Sequence, residues 1–534
     1  MTPAPHKKTP DRSLPRSALA TLAGVLHGQC FAQPGVSWVL QLVTLASLFV
    51  LIGGLPGRQR IIPSVLFGLG WFIGGLAWLH TSMHIYGGMP WMLAALAVVL
   101  FAVYLALFPV VTITLAARLA PRLDGFAHAL LLAAAWGMFE WLRGVLFTGF
   151  PWLAIGYAHV DGPLAGYAPW LGVYGIGAVA ALTAALLAQQ FESLRVLMRA
   201  DRAARPASGF WPVAAAAGLM ITGAGLGTVE HTFAQGPAVK VRLVQGNVPQ
   251  QMKFDPMRAV AAMQGYADSI EPAGAALIVL PETAWTVRWS MTPPEIATRI
   301  GNALARTGAQ VAIGMPMRSP GADASGAPQA PVHTNSVALI AARGQTPTMV
   351  ARYDKQHLVP FGEFIPAGFG WFVAAMRIPL GQFGRGREDQ GSFEVAGQRF
   401  AFNICYEDLF GEEIVRPLRQ PRGPSVLVNV SNIAWFGDSQ ALPQHLAIAR
   451  MRSLETGRPM LRATNTGVTA SIDHHGQVLA QLAPFAAGVL EVTVQGTAGL
   501  TPYARLGNLS SLALFAIMAI AAFVKRGRNA LRNS

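Results

Sequence analysis

Seven apolar runs follow one another from the N-terminus, separated by short polar breaks, and an eighth stands alone near the C-terminus. They cover roughly 19–32, 36–55, 62–78, 91–116, 126–141, 164–188, 212–229 and 506–524. A helix crossing the hydrocarbon core of a bilayer needs about 20 mainly apolar residues, a length the first run reaches only with its flanks. The pattern predicts a bundle of about eight transmembrane helices. The alternative for the first run is a signal peptide, because Lys7 and Lys8 precede an apolar core ending in small residues. That reading leaves an odd number of spans and moves one terminus across the membrane.

Between Glu230 and Arg505 the period changes. Short β-branched runs at 239–244, 276–280, 311–313, 400–404 and 426–430 alternate with helical stretches at 257–270, 294–306 and 440–456. Strands alternating with helices predict an α/β domain of layered sheets and helices. The chain therefore divides into a seven-helix membrane domain at 1–229, an α/β domain at 230–500, and a last helix with a basic tail at 501–534. The stretch 318–331, rich in Gly, Ala, Ser and Pro, reads as a surface loop. The apolar stretch 369–380 is too short to span.

Composition agrees with the membrane reading: 52% of the 534 residues are hydrophobic and only 12% are charged, about half the usual charged share of a soluble domain. The net charge of +14 would suit a nucleic-acid partner if it formed one patch, but it does not. The excess sits in five short stretches between or outside the apolar runs, around Lys7 to Arg16, Arg58 and Arg60, Arg118 and Arg122, Arg195 to Arg205, and Lys525 to Arg532. These stretches fall on alternate sides of an eight-span layout. The breaks near Gln33, 80–90 and 144–162 carry almost no Lys or Arg. By the positive-inside rule both termini are expected in the cytoplasm and 230–505 on the periplasmic face. The charge reports topology, and no nucleic-acid partner is expected. The two cysteines, Cys30 and Cys405, lie in different domains and do not form a disulfide framework.

Three ionisable residues follow apolar strands: Glu282 ends ALIVLPE, Lys355 ends TMVARYDK, and Cys405 follows FAFNI. Strand ends are where side chains of α/β sheets converge on a crevice. Each has a bland reading, as a surface carboxylate, a solvated tip and a small buried hydrophobe. Together they supply a nucleophile, a base and a cation. A thiol needs a base or a cation to attack well near neutral pH. Glu282 is placed to take the thiol proton and return it to a leaving group; Lys355 and the Tyr406 N–H are placed to steady an oxyanion. Glu363 and Glu407 add carboxylates nearby, while Asp354 and Asp408 read as scaffold. His333, His357, His445, His474 and His475 show no metal-ligand spacing, and there is no C-x-x-C pair, P-loop or G-x-S-x-G elbow. No metal or cofactor is expected.

The segments LVQGNVPQQMKFDP, LPETAW, YDKQHLVPFGEFIP, NICYED, SNIAWFGDS and RSLETGRPMLRATNTGVTASID occur in this order, with TGFPWL and GVYGIG between spans five and six. Together they resemble the apolipoprotein N-acyltransferase family, membrane members of the nitrilase superfamily. The resemblance implies a nitrilase-type αββα sandwich in the bacterial inner membrane, with a Glu282–Lys355–Cys405 triad. It assigns Glu363, Glu407, Tyr406 and Trp435 as supporting residues. Phe254 stands where a Trp is usual, and Ile433 where an Asp is common. The implied reaction is ping-pong: Cys405 takes an acyl chain from a phospholipid, typically phosphatidylethanolamine, as a thioester. It then passes the chain to the α-amine of an apolipoprotein's diacylglyceryl-cysteine. The expected assembly is a monomer, and 369–380 would suit a lid dipping into lipid. Two alternatives remain at this point. One is a membrane-tethered amidase using the same triad, and the other a transporter, for which Glu140 and Arg143 are the nearest candidate cluster; they read more simply as an interfacial pair.

Overall fold

A computed structural model describes residues 13–119, 125–199, 209–253, 255–272, 274–322, 328–366, 368–370 and 383–532. Phe254, the basic residues at 1–12, 120–124 and 200–208, and most of 369–380 lie outside them.

All eight apolar runs are helical: α1 Ser13–Cys30, α2 Ser37–Ile52, α3 Ile61–Leu76, α4 Trp91–Leu119, α5 Gly125–Val145, α6 Ala168–Arg199 and α7 Trp211–Leu226, with Leu509–Arg532 at the end of the chain. Four helical stretches among the described residues are long and apolar enough to cross a membrane: Gly57–Leu76, Trp91–Leu119, Gly125–Thr148 and Pro163–Met198. Ser37–Ile52, Trp211–Leu226 and Leu509–Val524 are apolar but shorter. The helix α1 carries Arg16, His27 and Gln29 among its apolar residues, so the count of eight full spans is not met by length and composition. Gly172 in the GVYGIG segment sits at φ +66, where a side chain would strain the backbone and run into the Tyr503 ring. This glycine lets α6 turn where the two domains touch.

Among the described residues the α/β region holds twelve strands: β1 Phe233–Gln245, β2 Leu277–Val279, β3 Gln310–Ala322, β4 Pro328–Arg343, β5 Thr346–Asp354, β6 Phe393–Val395, β7 Gln398–Ile404, β8 Val426–Ser431, β9 Met460–Thr464, β10 Ala470–Ile472, β11 Val478–Gln481 and β12 Gly488–Ala498. They form two six-stranded sheets, ordered β12-β1-β2-β3-β4-β5 and β11-β10-β9-β8-β7-β6. The inner faces meet through Val241, Leu243 and Val279 from one sheet and Phe402, Ile404 and Val428 from the other. Helices α8 Pro256–Ile270 and α9 Pro294–Thr307 cover the outer face of the first sheet with Met263, Tyr266, Ile296 and Ile300. Helices α10 Gly411–Leu418 and α11 Ala441–Thr456 cover the second with Ile414 and Ala449. Four layers result, helix–sheet–sheet–helix, as expected.

The expected loop at 318–331 is instead largely a hairpin. Strands β3 and β4 stay in register through Arg318↔His333 and Ser319↔Val332, then resume at Gly321↔Gln329 after an irregularity. Cross-strand pairing overrides the Gly and Pro content there, while 323–327 fall outside the described residues. Glu140 and Arg143, expected as an interfacial pair, do pair, with Arg143 Nη2 3.7 Å from Glu140 Oε1, and both are buried within the protein. Arg143 donates to the carbonyls of Phe150 (2.8 Å) and Trp152 (2.7 Å), and Glu140 accepts from the Ile155 N–H at 3.0 Å. The pair shapes the loop after α5, on which the turn carrying Cys405 rests.

Candidate active site

Strands β1, β2 and β3 run parallel, as do β7, β8 and β9, so residues following them gather at the carboxyl edges of the two sheets. Lys355 directly follows β5, Cys405 directly follows β7, and Glu282 lies just past β2. Gly314 on β3 permits that last turn, because a Cβ there would lie 2.4 Å from the Pro281 carbonyl oxygen and 2.7 Å from Glu282 Cα.

The three residues come together, Glu282 and Lys355 buried and Cys405 half-buried. Lys355 Nζ is 2.9 Å from Glu363 Oε2 and 3.5 Å from Glu282 Oε1. Asn335 bridges the two carboxylates, its Nδ2 donating to Glu282 Oε1 at 2.7 Å and to Glu363 Oε1 at 2.8 Å. Glu282 Oε2 accepts the Asn432 N–H at 2.8 Å, and that N–H is also within reach of the Cys405 thiol. Burial disfavours the Lys355 charge, but Glu363, Glu282 and, more weakly, Cys405 and Glu407 outweigh it and hold the ammonium above the usual lysine range. Burial, reinforced by Glu282 and opposed by Lys355, pushes the Cys405 thiol up. The resting sulfur is therefore protonated, with a carboxylate and an ammonium beside it.

Cys405 has φ +52, a conformation that costs an L residue free energy unless its surroundings enforce it. Two donors hold its carbonyl: Asn429 Nδ2 and His445 Nε2, each at 3.3 Å. Arg462 Nη2 lies 2.8 Å from His445 Nδ1. A guanidinium only donates, so Nδ1 accepts and the ring proton sits on Nε2, facing Cys405. Burial first, and Arg462 second, keep His445 neutral. Asp408 completes the network by pairing with Arg462 at 2.9 Å, consistent with a scaffold role. The His445 ring stacks on Trp152, 5.6 Å between centroids and 8° from parallel.

Glu407 does not reach the triad through a hydrogen bond. Its Oε2 accepts from the Ile404 N–H (2.6 Å) and the Tyr353 hydroxyl (2.9 Å). Its Oε1 accepts from the N–H groups of Gln356 (2.6 Å) and His357 (3.1 Å). The side chain ties the segment after Lys355 to the turn carrying Cys405. Burial raises its pKa to about 7, with the backbone donors and Lys355 opposing. Glu407→Ala strands these buried donors at about 1–3 kcal/mol each, so the expected result is a large fall in thermal midpoint, measured in detergent, with activity lost alongside it.

Tyr406 is buried, and its hydroxyl donates to the Gly149 carbonyl at 2.9 Å, so it joins the turn to the membrane domain. Trp435 is about a third exposed and lies edge-on to Tyr86 at 6.0 Å. Ile433 packs with Leu442, Val468 and Ala470 against Cys405, an apolar setting in which the departure from Asp is accommodated. Sequence reasoning misses Asn335, Asn432 and Lys253, although Asn432 and Lys253 lie inside two of the family-like segments, and weighs His445 only as a metal ligand. Lys253 is buried, and its Nζ donates to the Glu282 carbonyl at 3.1 Å.

Burial lowers the Lys253 pKa to about 7, with Glu282 opposing. The folded protein thus releases this proton near pH 7, whereas the unfolded chain keeps it to about 10.4. Between those values the unfolded state binds more protons, so stability rises with pH, by up to about 1.4 kcal/mol per unit. Lys253→Met is expected to lose that slope: thermal midpoints of wild type and variant, compared from pH 7 to 10, should move in favour of wild type as pH rises.

A sandwich of two such sheets ending in a Glu, a Lys and a Cys defines a carbon–nitrogen hydrolase domain, and the carbon-nitrogen hydrolase family model matches residues 240–503. The model for the apolipoprotein N-acyltransferase N-terminal domain matches 23–186. Curated relatives named apolipoprotein N-acyltransferase align over nearly the whole length. The chain is 48% identical to one from Ralstonia nicotianae, covering 96% of this chain and 93% of the relative. It is 42% identical to one from Bordetella bronchiseptica (96% and 97%) and 42% identical to one from Nitrosomonas europaea (95% and 96%). This chain belongs to the apolipoprotein N-acyltransferase family.

Proposed function

We propose that this protein transfers an acyl chain from a phospholipid to the N-terminal amine of a diacylated lipoprotein, through a thioester on Cys405. The observation that carries the proposal is the cluster itself: a protonated thiol beside a carboxylate and an ammonium, on a turn seated on membrane helices. As Cys405 Sγ attacks the donor's ester carbonyl, the S–C bond forms and Glu282 takes the thiol proton. Lys355 and the Tyr406 N–H steady the oxyanion. Collapse breaks the ester C–O bond, Glu282 returns the proton to the departing alkoxide, and a lysophospholipid leaves. The lipoprotein's α-amine then attacks the thioester, Glu282 relays its proton to the departing sulfur, and an amide results.

Both substrates are lipid-anchored, which requires a site at the bilayer surface. A catalytic domain tethered by α7 and by Leu509–Arg532, with Tyr406, Trp152 and Gly149 in contact across the seam, meets that requirement. The basic stretches support an inner-membrane placement with the domain at 230–500 periplasmic and both termini cytoplasmic. A reporter fused after residue 534, active only in the cytoplasm, tests that placement.

A membrane-tethered amidase would use the same triad but pass the acyl group to water. Preloaded acyl-enzyme, chased with a synthetic diacylglyceryl-cysteine peptide or with buffer alone, separates the two. The acyltransferase reading expects rapid loss of the adduct with peptide and slow loss without. Equal rates would favour the amidase.

A further inference from the structure

Glu230 lies between α7 and β1, and His474 and His475 occupy the turn between β10 and β11, more than 240 positions away in sequence. The fold brings them together. His475 Nε2 is 3.4 Å from Glu230 Oε1, and His474 Nε2 is 3.9 Å from Glu230 Oε2. The imidazole centroids are 4.0 Å apart. One nitrogen from each ring and one carboxylate oxygen all lie within 4.8 Å of one another. These separations exceed the 2.7–3.2 Å of a good hydrogen bond. They approach the spacing of about 3.3–3.4 Å between neighbouring ligands on a tetrahedral zinc with bonds of about 2.0–2.1 Å.

We propose that Glu230, His474 and His475 bind one divalent cation of the zinc class, with water completing the coordination, and that the ion clasps the catalytic domain to the end of the last helix before it. The turn is fixed in advance. Asp473 Oδ1 accepts the N–H groups of His475 (3.0 Å) and Gln477 (2.8 Å), and Arg450 Nε donates to the Gly476 carbonyl at 2.7 Å. Arg450 also pairs with Asp161, in the loop between α5 and α6, so the turn already faces the helical domain. Two imidazoles and a carboxylate match zinc's ligand preferences. The pair His80 and His84 is engaged differently: their ring nitrogens meet the carbonyls of Trp91 (3.2 Å) and Met89 (2.8 Å).

The test uses tag-free, chelator-treated full-length protein in detergent, titrated calorimetrically with zinc chloride and spectroscopically with cobalt(II). The expected result is one zinc per chain, an intense visible cobalt band typical of low coordination, and a raised thermal midpoint. His474→Ala/His475→Ala should abolish all three while leaving acyl transfer unchanged. Glu230→Gln should weaken zinc at least as much as the 10–100-fold that losing an outer-shell partner costs. The same titration of Cys405→Ala and of His80→Ala should match wild type. Stoichiometric binding that survives the double histidine variant, or none in the wild type, would overturn the proposal.

Discussion

Cys405→Ala is expected to lower acyl transfer by at least about 10⁴-fold, in line with loss of the nucleophile from other triads, while the protein stays folded. The strained backbone at φ +52 is held from outside, by Asn429 and His445 on the carbonyl, and these contacts do not involve the thiol. Truncating the side chain leaves them in place and removes only the atom that forms the bond to the acyl group. Initial rates with a phospholipid donor, read beside the thermal midpoint, check both halves. Activity surviving within about tenfold would remove Cys405 from the mechanism.

Lys355→Met is expected to damage both catalysis and stability. The ammonium lies between Glu282 and Glu363, and all three are buried. Without it two carboxylates share one Asn335 bridge, and breaking a buried ion pair in this way costs about 3–5 kcal/mol. Loss of an oxyanion partner costs a further factor of about 10²–10³ in rate. Initial rates and thermal midpoints in detergent, read beside wild type, check both halves, and a variant matching wild type in both would remove Lys355 from the site.

Much of this was legible in the sequence because strand ends announce themselves. Glu282, Lys355 and Cys405 each follow an apolar β-branched run, and the layered sheets then carry them to a common edge. What stayed hidden are partners fixed by tertiary contact: Asn335 lies 53 positions from Glu282 and Asn432 lies 150. A polar residue inside or beside an apolar strand has no periodic signature of its own. Glu407 is legible as a carboxylate near the centre, but its partners are not, because backbone N–H groups leave no trace in side-chain chemistry. Glu140 and Arg143 were legible as a pair, but the carbonyls of Phe150 and Trp152 and the Ile155 N–H that they hold were not, for the same reason. The span count shows the converse: all eight apolar runs are helical, but among the described residues only four helical stretches are long and apolar enough to cross a bilayer.

The central claim is a thioester at Cys405, and intact mass tests it most directly. Purified protein incubated with phosphatidylethanolamine and no acceptor should gain the mass of one acyl chain, removable by hydroxylamine and absent from Cys405→Ala. Folded wild-type protein that gains no mass, or a variant that gains the same mass, would contradict the assignment of the nucleophile or of the lipid donor.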